Sequence, residues 1–446
     1  MTPVPNDIAA LVARAAEPDF AAWRHAVVRL NGCTNPIHLS GAAALLDLAT
    51  GEQLHAYGGR LLVHCGNRRA AVCPTCARTY RADTYQLIRA GLVGGKSAPA
   101  SVGGHPRVFV TLTAPGFGAV HGRRERDGRV RVCRPRRTGD RCPHGVLRGC
   151  SERHAAGDLR LGEPLCPRCY DYAGAVIWQA SAGRMWHRFV LELRRELARR
   201  AGVPRTALAE SVRLSYAKVA EYQRRGLVHF HAVIRLDGPD GPGAAPPGWA
   251  SVGLLGEAVR EAVGRVRLVA PGRSVIGTRV LRFGSQIDVR PIAEFGEGEV
   301  TSAAVAGYIA KYATKGAEAA GAVDGRIRHG RDLVLLPVRS HVLRMAATCW
   351  WLGGLPDFEP LGLRRWAHML GYGGHFSTKS RLYSTTLTAL REARTEHRAA
   401  QQRASLGLAD RPALVVGHWR YAGRGYSPEA ALLAASVRPG GGLHGA

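Results

Sequence analysis

Two histidines one residue apart, in Val228-His229-Phe230-His231-Ala232-Val233, form the first pattern with chemical content. On a β-strand, His229 and His231 point to one face about 7 Å apart and Phe230 to the other. Two such imidazoles can share a cation. The preceding strand-like run ends in Glu221 and Gln223, which share a face, and Gln223-Arg-Arg-Gly226 reads as the turn of a hairpin. Folding back on that turn brings Glu221 beside the histidines. A carboxylate plus two imidazoles suits Mn²⁺ or Mg²⁺, with coordination positions left for substrate oxygens. Without the carboxylate, the same pair is two polar residues on a solvent face.

The second pattern is Gly307-Tyr308-Ile-Ala-Lys311-Tyr312-Ala-Thr-Lys315. A helix puts Tyr308 and Tyr312 on one face, a turn apart, each followed three residues later by a lysine. A phenol with pKa near 10 needs a nearby cation or base to act as a nucleophile, and Lys311 and Lys315 can stabilise its charge. Core tyrosines with solvated lysines are the simpler reading of this segment alone. Lysine is otherwise scarce: only Lys96, Lys218, Lys311, Lys315 and Lys379 occur, and the remaining 57 of the 62 cationic residues are arginine.

Ten cysteines supply a third pattern. Cys73-Pro-Thr-Cys76 follows Cys33 and Cys65. Cys166-Pro-Arg-Cys169 follows Cys133, Cys142, His144, Cys150 and His154. CxxC pairs with further ligands upstream read as structural Zn²⁺ sites, one or two in number. Cys33, Cys65, Cys73 and Cys76 are the choice for the first, with His64 as a substitute. Cys142, Cys150, Cys166 and Cys169 are the choice for the second, with Cys133 or His154 able to replace one. Cys349, beside Trp350 and Trp351, reads as core.

The elements around these residues suggest an α+β protein. Helices are expected over 8–30, 77–92, 173–200, 252–266, 300–317 and 387–405; strands over 107–113, 212–222, 227–236 and 286–292. Three regions follow: an N-terminal helical, Cys-rich domain over 1–105; a catalytic domain over 106–320, with a Cys-rich insertion at about 117–170; and a basic DNA-binding region over 321–446 with a disordered tail. The length, 446 residues, accommodates two or three domains. Ala90–Ser97 loosely matches a phosphate loop, but it follows a helix and lacks the first glycine, so it reads as a chance match.

Charge narrows the partner. Sixty-two Lys+Arg against 34 Asp+Glu leave +28, which calls for a polyanion, with nucleic acid first. Arg123–Arg137 carries eight arginines against two acids, and Arg134, Arg136 and Arg137 are candidate phosphate contacts. Phe376–Tyr383 interleaves aromatic and basic residues as a base-stacking surface would, with Lys379 and Arg381 as its cations. No apolar run reaches membrane-spanning length and no signal segment follows Met1, so no membrane partner and a cytoplasmic location are expected.

The strand Phe109–Thr113, the pair His229-Phe230-His231 and the downstream Tyr308–Lys315 helix, in that order, resemble the HUH endonucleases that initiate rolling-circle replication. Leu165–Asp171, Gly226–His231 and Gly374–Arg381 resemble, more closely, the initiators of actinobacterial plasmids and integrative conjugative elements. The resemblance runs from about Cys65 to Arg394. It implies an HUH core, an antiparallel sheet flanked by helices, with the tyrosine helix across the histidine face and Glu221 as third metal ligand. It also implies a site-specific nick in single-stranded DNA at an origin, a 5′-phosphotyrosine on Tyr308 or Tyr312, a free 3′-OH primer, and rejoining at termination. Host helicase and polymerase would then be partners, and both single- and double-stranded origin DNA would be bound. A two-tyrosine HUH transposase and a non-catalytic, zinc-containing DNA-binding regulator are the alternative readings.

Overall fold

The computed structural model describes residues 8–136, 139–293, 300–323, 325–405, 407–408 and 412–437. Arg137 and most of the expected disordered tail lie outside them. The chain divides into two units, 88–384 and a second made of 1–87 together with 385–446. This differs from the three consecutive regions expected. Residues 321–384 belong with the histidine strands, because Ser377–Lys379 pairs antiparallel with Ala217–Val219. Residues beyond 384 return to the N-terminal unit, where Ala413–Arg424 pairs with Ile37–Asp47.

The larger unit is built on a six-stranded sheet in the order 300–301, 287–293, 107–112, 228–237, 213–222, 377–379. All its pairings are antiparallel except the short one between Ile292–Ala293 and Val300–Thr301. The histidine strand, Val228–Asp237, is central and almost wholly buried. Directly paired residues share a face of a sheet, so Val108, Val110 and Leu112 lie with Ile234, Ala232 and Phe230. These six are at most 1% exposed and form the core beneath Tyr172–Ala201 and Val252–Arg265. Trp186 of the long helix meets Phe230 edge-on, with ring centroids 5.6 Å apart. That helix starts where Asp171 accepts a hydrogen bond from Gly174 N–H and ends at Gly202, whose φ of 68° is left-handed.

The smaller unit holds a three-stranded antiparallel sheet, with Ile37–Asp47 between Gln53–Val63 and Ala413–Arg424. The single helix expected over 8–30 is two, Ile8–Ala15 and Phe20–Arg29. Pro18 explains the break, since it disfavours helical backbone at Glu17 and has no N–H to continue the ladder. The structure is thus a mixed α/β protein with antiparallel sheets and Cys-rich clusters. Among the described residues, no helix is long and apolar enough to cross a membrane.

Candidate active site

The turn after Tyr222 decides the register of the site. Gln223 N–H donates to Leu227 O and Gly226 N–H to Gln223 O. Gly226 has a φ of 78°, and a Cβ there would meet Met345 Sδ at 2.7 Å. The resulting register places Glu221 directly opposite His229. Gln223 lies in the turn just past the strand and outside the cluster, its Oε1 accepting from Arg225 Nε at 2.8 Å.

Three side-chain atoms converge. Glu221 Oε2 lies 2.9 Å from His229 Nε2 and 3.0 Å from His231 Nε2, and the two Nε2 atoms are 3.0 Å apart. Equal edges of this length describe one triangular face of an octahedron with bonds of about 2.1 Å, the Mg²⁺ distance. A tetrahedral ion with the same bonds would need edges of about 3.4 Å. The residues therefore fit a small divalent cation held at three of its six coordination positions. Thr111, paired with His231 on the neighbouring strand, has Oγ1 3.0 Å from His231 Nδ1. Accepting the Nδ1 proton leaves the Nε2 lone pair facing the site. Phe109 stacks parallel to the His231 ring at 5.8 Å.

Burial works to raise the Glu221 carboxyl, but hydrogen bonds and charge from the two imidazoles outweigh it and hold the group at about 2. Burial lowers His231 below its ordinary value. The Glu221 carboxylate is therefore ionised at neutral pH, and burial moves His231 toward the neutral form that cation binding requires.

The helix Ser302–Ala313, capped by Thr301 Oγ1 accepting from Ala304 N–H, lies over this face. Tyr308 Oη is 3.3 Å from His231 Nε2, and the Tyr308 and Tyr312 rings are 4.6 Å apart. Burial and then the charge of Glu221 raise both phenols above their ordinary value, so both need a positive charge to ionise. Lys311 and Lys315 place Nζ 5.5 and 4.6 Å from the Tyr312 ring centre. The helix ends four residues earlier than expected, so Lys315 approaches from the turn that follows it. A groove of about 880 Å³ lies at the strand ends two residues beyond Glu221 and Thr111, lined in part by Thr113, Gln223, Arg134, Arg225, Arg279 and Arg282.

The cysteine clusters are partly as expected. Cys33, Cys65, Cys73 and Cys76 converge as a group able to hold a metal, with Cys33 Sγ 3.8 Å from Cys73 Sγ and 3.7 Å from Cys76 Sγ. A tetrahedral Zn²⁺ with thiolate bonds of about 2.3 Å has edges of about 3.8 Å. His64 is not in the group. The second group corrects the expected set: Cys142, Cys166 and Cys169 are joined by His144, and Cys150 lies elsewhere, with His121, Cys133 and His154. The reason is local. Gly145 N–H bonds back to Cys142 O, folding His144 in beside Cys142, whereas mutual backbone hydrogen bonds between Arg134 and Cys150 carry Cys150 toward Cys133.

The expected DNA contacts also change. Phe376 is 8% exposed and Tyr383 is fully buried, so neither offers a stacking face. Lys379 Nζ donates to the carbonyls of Ser380, Arg381 and Ser384, which closes the turn. Arg381 and Arg136 are exposed. Arg134 donates from Nε to Val120 O and borders the groove. Thr111, His121 and His144 had no assigned role in the sequence. Thr111 stood inside the quoted strand motif, and His144 lay within the Cys cluster.

Comparison with known proteins adds the family. Residues 19–439 match RepSA, described as replication initiator protein, pSAM2. The chain belongs to this family. It is also 47% identical, over 97% of its length and 93% of the relative's, to a replication initiator protein from Streptomyces ambofaciens. No solved structure matches. Initiation of replication implies binding to an origin, and the +28 charge of this RepSA-family chain suits such a partner.

Proposed function

We propose that this initiator acts by HUH chemistry, nicking and rejoining one DNA strand at its origin. One observation carries the reading: the Glu221–His229–His231 triangle has a phenol, Tyr308, 3.3 Å from one of its ligand atoms. Bound there, a Mn²⁺ or Mg²⁺ ion would polarise the scissile phosphate. Tyr308 Oη forms the new bond to phosphorus and loses its proton to solvent. The bond from phosphorus to the 3′-oxygen breaks, and that oxygen takes up a proton to become the 3′-OH primer. One phosphodiester replaces another, so no nucleotide need be hydrolysed. Lys311 and Lys315 hold positive charge beside Tyr312, which suits it to a second cleavage that ends a round and allows rejoining.

The remaining partners follow from this chemistry. The primer requires a host polymerase, and strand separation a host helicase, since Ala90–Ser97 closes a helix and opens none. Membership of an initiator family favours replication over transposition. The Cys-rich groups serve as structural Zn²⁺ sites.

The test is incubation of the full chain with single-stranded DNA from its replicon and Mn²⁺, followed by mass spectrometry of the denatured products. A covalent DNA adduct on Tyr308 or Tyr312, lost with EDTA and in His229→Ala, is the expected result. Cleavage with no adduct would make the site a hydrolytic nuclease. Binding of a verified origin strand with neither cleavage nor adduct would make the chain a DNA-binding regulator.

A further inference from the structure

The insertion before the long helix contains one more convergent group, which neither the cysteine spacing nor the family match assigns. His121, Cys133, Cys150 and His154 bring four ligand atoms within 4.8 Å of one another. His121 Nδ1 is 3.2 Å from His154 Nε2, and Cys150 Sγ is 3.5 Å from the same Nε2. A tetrahedral Zn²⁺ has N···N edges of about 3.3 Å and N···S edges of about 3.6 Å. Cys133 and His154 are 2% and 1% exposed, so two of the four ligand groups are shielded from water.

The surroundings match a metal site. Gly122 N–H points at Cys133 Sγ, 3.2 Å away, as it would toward a thiolate. His154 Nδ1 donates to Asp158 Oδ2 at 2.7 Å, the carboxylate partner that fixes a ligand imidazole with Nε2 free. Asp158 is held in turn by Arg160, which also pairs with Glu152. Two thiolates balance the charge of Zn²⁺, so the centre is neutral.

Its position gives it a purpose. His121 and Cys133 bracket a two-stranded ribbon, Arg124–Arg126 paired with Arg129–Arg131. The turn between the strands is Asp127-Gly128, both with positive φ, 53° and 70°, the signature of a tight hairpin turn. All four of these end arginines are exposed. An isolated two-stranded ribbon is barely stable in water, and a metal at its neck removes that weakness.

We propose that His121, Cys133, Cys150 and His154 form a further structural zinc site, which closes the neck of the arginine ribbon and holds it out as a phosphate-binding arm. The site stands on its own geometry; the role of the arm rests on the reading of the chain as an origin-binding protein.

The experiment compares metal content and DNA affinity of the full-length protein, purified reduced and dialysed to remove exchangeable cations. The Cys133→Ser/Cys150→Ser double variant loses one equivalent of zinc relative to the native chain, and His121→Cys, which replaces one ligand by another, retains it. Asp158→Asn keeps the fold and gives up this one equivalent to a chelator about 10–100-fold more readily. The double variant also binds duplex DNA more weakly, with a shallower dependence on salt. An unchanged zinc content in the double variant, or a Cys133–Cys150 disulfide in the native protein, would overturn the site. Loss of zinc with unaltered DNA affinity and salt dependence would leave the site standing and overturn the role of the ribbon.

Discussion

Thr111 and His231 face each other on neighbouring strands, with the Thr111 hydroxyl 3.0 Å from His231 Nδ1. The contact holds the imidazole proton on the side away from Glu221. Thr111→Val keeps the shape and removes the acceptor, leaving a buried N–H without its partner and the tautomer unfixed. Loss of such a partner typically weakens metal affinity about 10–100-fold. Titration of adduct yield against Mn²⁺ will therefore shift to higher concentration by that factor and reach a similar plateau. An unshifted titration would remove Thr111 from the account.

Tyr308 and Tyr312 are not equivalent. The Tyr308 oxygen lies 3.3 Å from His231 Nε2, whereas the two lysine ammonium groups lie over the Tyr312 ring. Tyr308→Phe abolishes the first covalent adduct. Tyr312→Phe leaves that adduct in place and blocks the second cleavage on a substrate carrying two sites. Lys315→Ala slows the Tyr312 step by about 100-fold, the usual cost of removing one group that stabilises developing charge. Peptide mapping of adducts from the three variants decides the order, and the reverse pattern would exchange the two roles.

The candidate site was more legible in the sequence than the domain organisation. His229, His231 and Glu221 are bound to one strand pair by a short turn, so period-two geometry alone brings them together. The tyrosines are likewise local to one helix. The return of residues beyond 384 to the N-terminal unit is a pairing across more than 360 positions, for which local pattern holds no information. Its strands are also weak signals: Gly41-Ala-Ala-Ala44 and Gly58-Gly59 lack the β-branched residues that mark strands such as 107–112. The second metal group failed for a related reason. Spacing lists the ligands, but a backbone bridge between Arg134 and Cys150 decides which cluster Cys150 joins.

Cys33, Cys65, Cys73 and Cys76 link the end of one helix, the end of a strand and the start of Pro74–Val93. Among the described residues, the small buried cluster at that junction joins Leu30 to the cysteines, with Leu62 packed against it. A metal there contributes folding energy directly. Cys73→Ser will lower the melting temperature and expose 31–87 to limited proteolysis, and a strong chelator will do the same to the native protein under reducing conditions. A native chain whose melting is indifferent to chelation would rule out a metal at this junction.

His341 carries a pH dependence separate from the candidate site. It is 1% exposed, its Nε2 donates to Arg225 O at 3.0 Å in the turn of the histidine hairpin, and its Nδ1 accepts from Tyr172 Oη at 3.2 Å. Burial, with a smaller repulsion from Arg339, lowers it to about 4, against about 6.5 in the unfolded chain. Between those values the unfolded state binds the proton and the folded state does not, so stability falls as pH drops. The contribution is fully present above about 6.5, has lost about 2 kcal/mol at pH 5, and is lost in full, about 3 kcal/mol, below about 4. His341→Gln preserves a donor for Arg225 O and an acceptor for Tyr172 while removing the titration. Denaturant midpoints measured at pH 7.5 and 5 should therefore fall further in the native chain than in the variant. Parallel pH dependence in the two proteins would place the sensitivity elsewhere.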